Sequence, residues 1–148
     1  MVTGPRVAAA GAVSSLAPFA HVADVERSLA FYALLGFVPL GRHSSPAGRT
    51  VWANALAGGA HIMFAQASGP IDAGVQAVLF YMYADDVRAL RARLLSGGAV
   101  DGGVFTGQPG AEAGRPVVFE VEPRFYMPRG ELRVHDPDGY VILIGQRD

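Results

Sequence analysis

The residues of this chain with chemistry to offer are three histidines, two tyrosines and a short run of alternating charges. His21 closes the strand-like stretch LAPFAHV, and His61 lies in AHIMFAQ. Tyr81 and Tyr83 alternate in AVLFYMYAD, and Glu131, Arg133 and His135 alternate in ELRVH. An imidazole titrates near neutrality and can serve as general base or metal ligand, so His21 and His61 meeting across two strands would form an acid–base pair or a partial metal site. Period-2 alternation groups Phe19 with His21, His61 with Met63, and Tyr81 with Tyr83. Such faces also suit a flat, partly apolar molecule, which is held by apolar burial and a few orienting polar groups. The alternative is that these side chains fill a core, where every buried hydroxyl and imidazole requires a partner. For Glu131, Arg133 and His135 it is a solvated strand edge or a cross-strand ion pair.

The remaining chemistry is narrowed by composition. The chain has 148 residues, no cysteine, and only arginine among its 12 basic residues. Thiolate nucleophiles, disulfides, thiolate metal sites and Schiff-base lysines are therefore excluded. No Walker-type glycine–lysine loop and no Gly-x-Ser-x-Gly elbow occurs, which removes the usual phosphate-binding and hydrolase motifs. A formal charge of −1 favours neither nucleic acid nor an anionic membrane surface. Arg88, Arg91 and Arg93 read as the solvated side of a helix, and His43 as an exposed loop residue in GRHSSPAGR. The opening MVTGPRVAAAGAVSS reads as a flexible tail over residues 1–15 rather than a signal peptide, and no apolar run reaches the length of a membrane span. A cytoplasmic protein with a small-molecule partner is the expectation.

The elements that must position these residues repeat. In DVERSLAFYALLG, Val25, Leu29, Tyr32 and Leu35 fall at helical spacing, with Asp24 as N-cap and Gly36 as stop. A shift of 62 positions carries Asp24 onto Asp86, Val25 onto Val87 and Gly36 onto Gly98, so DVRALRARLLSGG predicts a second helix. A shift of 80 carries Gly59 onto Gly139 and Gln66 onto Gln146. The extra 18 residues of the second half are assigned to a long glycine-rich loop, VDGGVFTGQPGAEAG, and to the EPRFYMP approach; loops of such length often bind or cover ligands. Each half then reads strand, helix, three strands. The strands expected are GFVPLGR, RTVWANAL and AHIMFAQ in the first half, and PVVFEVE, ELRVH and YVILIGQ in the second.

This βαβββ–βαβββ order, with DVERSLAFYALLGF early and ELRVHDPDGYVILIGQ at the end, resembles the vicinal oxygen chelate superfamily of glyoxalases, extradiol dioxygenases and bleomycin-resistance proteins. The resemblance implies an α+β fold in which two tandem modules, residues 16–70 and 77–146 of a single domain 16–146, curl a mixed sheet around a cavity. It also implies four metal-ligand positions, one on the first and one on the last strand of each module. In this chain they are Ala17, Met63, Leu79 and Leu143, none of which suits a hard or borderline divalent ion. The expectation is therefore a binder without metal or cofactor, closest to the bleomycin-resistance branch, whose members form dimers with clefts between subunits. The near-neutral charge departs from the acidic character of that branch and puts bleomycin itself in doubt. Phe19, His21, Trp52, His61, Met63, Tyr81, Tyr83, Tyr126, Glu131 and Arg133 are the expected ligand-binding residues. Trp52 reads equally as a stacking surface or as packing under the first helix, and the segment 121–130 as the element that responds to ligand. The competing expectation is a lyase, isomerase or dioxygenase of the same superfamily, using a displaced metal or a histidine base.

Overall fold

Residues 10–107 and 114–148 are described by a computed structural model of the chain. Its first half runs β1 (Phe19–Val22), α1 (Val25–Leu34), β2 (Val38–Ser44), β3 (Thr50–Ala57) and β4 (Ala60–Gln66). The second half runs β5 (Leu79–Ala84), α2 (Val87–Ser96), β6 (Val100–Gly103), β7 (Val117–Phe119), β8 (Glu122–Arg124), β9 (Met127–His135) and β10 (Val141–Gln146). The first sheet has strand order β1-β4-β3-β2 and the second β5-β10-β9-β7-β6, with β8 paired to β9. In each sheet the strand preceding the helix pairs in parallel with the last strand of its module. That pairing follows from the crossover helix, because parallel neighbours cannot be joined by a hairpin.

The helices begin and end where the repeat places them. The Asp24 carboxylate accepts the Arg27 N–H at 3.1 Å, and the Asp86 carboxylate accepts those of Arg88 and Ala89. Gly36 and Gly98 follow the helices at φ +98° and +103°, a left-handed conformation that costs glycine nothing. One cluster of buried side chains holds both halves together, drawing Val22, Leu29, Tyr32 and Phe64 from the first and Val87, Leu94, Leu132 and Ile142 from the second.

The DPDG turn fastens the halves further. One oxygen of buried Asp136 accepts the backbone N–H groups of Asp138 and Tyr140, and the other accepts the Tyr32 hydroxyl at 2.7 Å. Asp138 accepts the Ala23 N–H at 2.9 Å and an Arg27 guanidinium N–H at 3.1 Å. Gly139 sits at φ +84°, and a Cβ there would lie 2.3 Å from the Ala73 carbonyl oxygen, so only glycine fits. The signature in this sequence is a structural staple between the last strand and the first helix.

Several expectations are corrected. The second half carries five strands after its helix, because the glycine-rich segment supplies β6 and EPRFYMP folds as the tight β8–β9 hairpin. Residues 1–9 of the expected tail and 108–113 of the expected loop lie outside the described residues. His43 belongs to β2, where it pairs with Trp52, since the hairpin ladder continues to Ser44 and Thr50. Gly59 and Gly139 match in sequence but not in conformation: in the first module it is Gly58 that takes positive φ, at +56°. No helix among the described residues is long and apolar enough to cross a membrane.

Candidate functional site

Alternation along each strand separates a helix-packed face from a second face, away from the helix. In the first sheet Ala20, Val22, Ala53, Ala55, Ile62 and Phe64 are buried in the core. The register leaves Phe19 and His21 of β1, His61 and Met63 of β4, and Trp52 and Asn54 of β3 on the other face. Trp52 therefore does not pack under α1; its neighbours Ala53 and Ala55 do. On this face the Asn54 carboxamide is fixed by accepting the Gly41 N–H at 2.9 Å, and its NH2 donates to His61 Nε2 at 3.2 Å. The Phe19 and His21 rings meet edge to face at 6.1 Å.

His21 and His61 do not meet. Parallel pairing sets His21 against Ala65, which leaves His61 four residues away along β4, about 13 Å at roughly 3.3 Å per residue. Strand parity placed them on one face, and register keeps them at different levels.

The second sheet carries the polar network. Its outward rows are fixed by the ladders: Arg133–Leu143–Tyr81 across β9, β10 and β5, with His135–Val141–Leu79 on one side and Glu131–Gly145–Tyr83 on the other. Glu131 is only 5% exposed, so the solvated-edge reading does not hold. The Tyr81 hydroxyl donates to its Oε2 at 2.9 Å, the Tyr126 hydroxyl to its Oε1 at 3.1 Å, and Arg124 Nε approaches to 3.7 Å. Burial, then the bond to Glu131, raises the Tyr81 phenol above its ordinary range, and the same carboxylate raises that of Tyr126. Gly145 leaves room for the Met127 methyl, which a Cβ would meet at 2.5 Å.

Beside this network the Arg133 guanidinium lies 3.8 Å from the Phe105 ring centroid and donates through Nε to His135 Nε2 at 3.1 Å. Phe119 packs on the same imidazole at 5.1 Å between ring centroids. Burial, helped by the Arg133 charge, pushes His135 down to about 4, so its ring stays neutral at physiological pH.

The expected ligand-binding residues therefore fall into two groups. Phe19, His21, Trp52, His61 and Met63 share the first sheet's outer face; Tyr81, Tyr83, Glu131 and Arg133 share the second's, with Tyr126 joined to it from the β8–β9 hairpin. A groove of about 610 Å³ runs between the β3–β4 turn and β5, bordered by Phe37, Leu90, Tyr81 and Tyr83. A further hollow of about 460 Å³ lies between Tyr83, Tyr126, Arg129 and Arg147. Sequence reasoning missed Phe105, Arg124 and Asn54 as members of these networks. Only Asn54 left a signal, through alternation with Trp52; Phe105 sits in a glycine-rich segment with no periodicity.

The superfamily's metal chemistry finds no donors at the positions where the resemblance puts them. Ala17 precedes β1, and Met63, Leu79 and Leu143 present a thioether and two hydrocarbon side chains. Among the described residues no group of three or more His, Cys, Asp or Glu side chains could hold a metal ion. These residues do not fit a divalent ion at the family site.

Residues 19–144 match the Glyoxalase/Bleomycin resistance protein/Dioxygenase superfamily. No curated protein matches the sequence. Among solved structures, a bleomycin-binding protein complexed with bleomycin is similar at 20% identity and a TM-score of 0.66, over 92% of this chain and 100% of that one. A glyoxalase-related enzyme from Clostridium phytofermentans shares the fold at 9% identity and a TM-score of 0.65, over 94% and 98%. TnmS3, an antibiotic binding protein from Streptomyces sp. CB03234, is 27% identical with a TM-score of 0.52, over 93% and 99%. With its two sheet-and-helix modules matched nearly end to end, the chain belongs to the glyoxalase/bleomycin resistance protein/dioxygenase superfamily.

Proposed function

We propose that this protein binds a small molecule without metal, burying an aromatic or partly apolar metabolite or antibiotic against its outer sheet faces, and that it does so as a homodimer. The observation that carries the reading is the buried Glu131 carboxylate, held by the Tyr81 and Tyr126 hydroxyls on a sheet face whose tyrosines are themselves half exposed. A core would cover those rings, and an ordinary surface would leave the carboxylate in water. Rigid aromatic side chains oriented by a saturated hydrogen-bond network form a preorganised binding surface.

Dimerisation is supported by what one chain leaves uncovered. Phe19, Val38 and Leu56 on the first sheet and Leu79, Tyr81 and Tyr83 on the second are exposed large apolar side chains, and contiguous patches of this kind mark interaction sites. A second copy that set the first sheet of one protomer against the second sheet of its partner would turn two open faces into a closed cup. The antibiotic-binding and bleomycin-binding relatives support the ligand class. The separation of His21 from His61 weighs against a histidine-pair catalyst.

The test is calorimetric titration of aromatic metabolites and antibiotics against metal-depleted wild type and Tyr81→Ala, with thermal melts of both. Binding by the wild type that is lost in the variant is expected, while the variant still unfolds cooperatively at a Tm lowered by only the few degrees that the lost bond to Glu131 costs. A large fall in Tm with binding unchanged would return Tyr81 to a purely structural role.

A further inference from the structure

We infer that Arg133 sets the class of ligand: the second sheet's outer face takes an aromatic molecule bearing a carboxylate or comparable anionic edge. The inference rests on the binding reading above and deepens it.

Arg133 keeps donors that the fold has not used. Glu131, the nearest acid on this face, is occupied by Tyr81 and Tyr126, with Arg124 3.7 Å from it. Arg133 has spent only Nε, on His135, and is held in plane by the Phe105 ring. Among the described residues neither of its terminal nitrogens donates to a protein acceptor. A half-buried guanidinium whose plane is fixed and whose outer fork is open matches a planar pair of oxygens, the arrangement arginine binds in bidentate fashion. A neutral hydrocarbon seated there would desolvate those N–H groups without replacing their bonds with water.

The ladder fixes the other half of the ligand. Arg133, Leu143 and Tyr81 lie in one row across three strands, so about 10 Å separates the outer two at roughly 4.8 Å per strand. An oxygen pair on Arg133 puts an attached ring system over Leu143 and its far edge at Tyr81. A fused bicyclic aromatic acid spans that distance.

The experiment is calorimetric titration of 2-naphthoate and its neutral analogue 2-naphthamide against wild type, Arg133→Gln and Arg133→Lys, with circular dichroism to confirm folding. Wild type is expected to bind the carboxylate about tenfold or more tightly than the amide, a difference typical of a charge-assisted pair. Arg133→Gln should bring the two within about twofold, and Arg133→Lys should fall between, since charge without the planar fork restores only part. Equal affinity of wild type for both probes overturns this inference and leaves the binding reading standing. A carboxylate preference that survives in Arg133→Gln overturns the assignment to Arg133. Failure of both probes and of the wider aromatic panel overturns the binding reading and this inference together. Should Arg133→Gln fail to fold, the wild-type comparison of the two probes still decides.

Discussion

At the end of the first module the Gln66 side-chain NH2 reaches back 2.7 Å to the Ala23 carbonyl; at the end of the second, Gln146 makes the same reach to Asp85. The 62-residue shift that aligns the helices carries Ala23 onto Asp85, so one clamp is used twice to tie a last strand to a strand–helix junction. The copies then differ. Gln146 Oε1 accepts the Val87 N–H at 2.9 Å, whereas Gln66 Oε1 is buried and finds no partner among the described residues. The same divergence runs through the outer faces: the first sheet presents Phe19, Trp52, Met63, Asn54 and two imidazoles, and the second a buried carboxylate, a stacked guanidinium and two anchored tyrosines. Repetition preserves the joints that build a module, while the exposed face is free to specialise.

The comparison breaks most sharply at the matched glycines. Gly139→Ala drives a Cβ into the Ala73 backbone at positive φ and should cost about 3 kcal/mol or more, whereas Gly59→Ala, with open space around it, should cost within about 1 kcal/mol. Urea unfolding of both variants measures the gap, and equal losses would show that the modules are stressed alike.

Next in size is an opposed pair of titrations confined to the second half. Burial raises Asp136 to about 6, so its contribution is present at low pH and is lost as pH rises from about 4 through 6. Burial lowers His135 to about 4, so its contribution is present above its ordinary value near 6.5 and is lost as pH falls toward 4. In the wild type these trends offset. His135→Asn should therefore lose stability as pH rises from 4 to 6, and Asp136→Asn should lose it as pH falls over the same range. Thermal melts across that range check the signs, and slopes of one sign in both variants would refute the assignment.

Smaller still, Glu131→Gln should cost roughly 1–2 kcal/mol by weakening two charge-assisted bonds, while His61→Ala on the first sheet should cost under about 1 kcal/mol. The smallest effect belongs to Phe125 at the hairpin tip, 97% exposed, whose change to alanine should stay within about 0.5 kcal/mol.

Local rules carried the reading of the scaffold. An Asp before an apolar i, i+4 pattern and a Gly after it are signals spanning a dozen residues, and both helices form between them. Face membership was legible for the same reason, since alternation within ELRVH or LFYMYA needs no knowledge of partners. Register between strands is set at long range, so the sequence could not reveal that His21 and His61 sit four residues apart in level. Nor could it reveal that Arg133 and Tyr81 share a row. Phe105 reaches Arg133 from a segment of glycines and small residues whose path depends on the parallel pairing of β6 with β7. The signature DPDG pointed to the family correctly, yet its two acids are spent on the fold.

The central claim, that the two unlike faces make one site between protomers, is tested most directly by subunit complementation. Trp52→Ala removes a ring from the first sheet and Tyr81→Ala one from the second; each variant alone should lose the aromatic ligand that wild type binds. After unfolding and refolding together, half of the dimers would pair the two variants, with one intact cup each, and binding should return to about a quarter of the wild-type sites. Heterodimers that form but recover no binding would contradict the shared cup and place the whole site within a single chain.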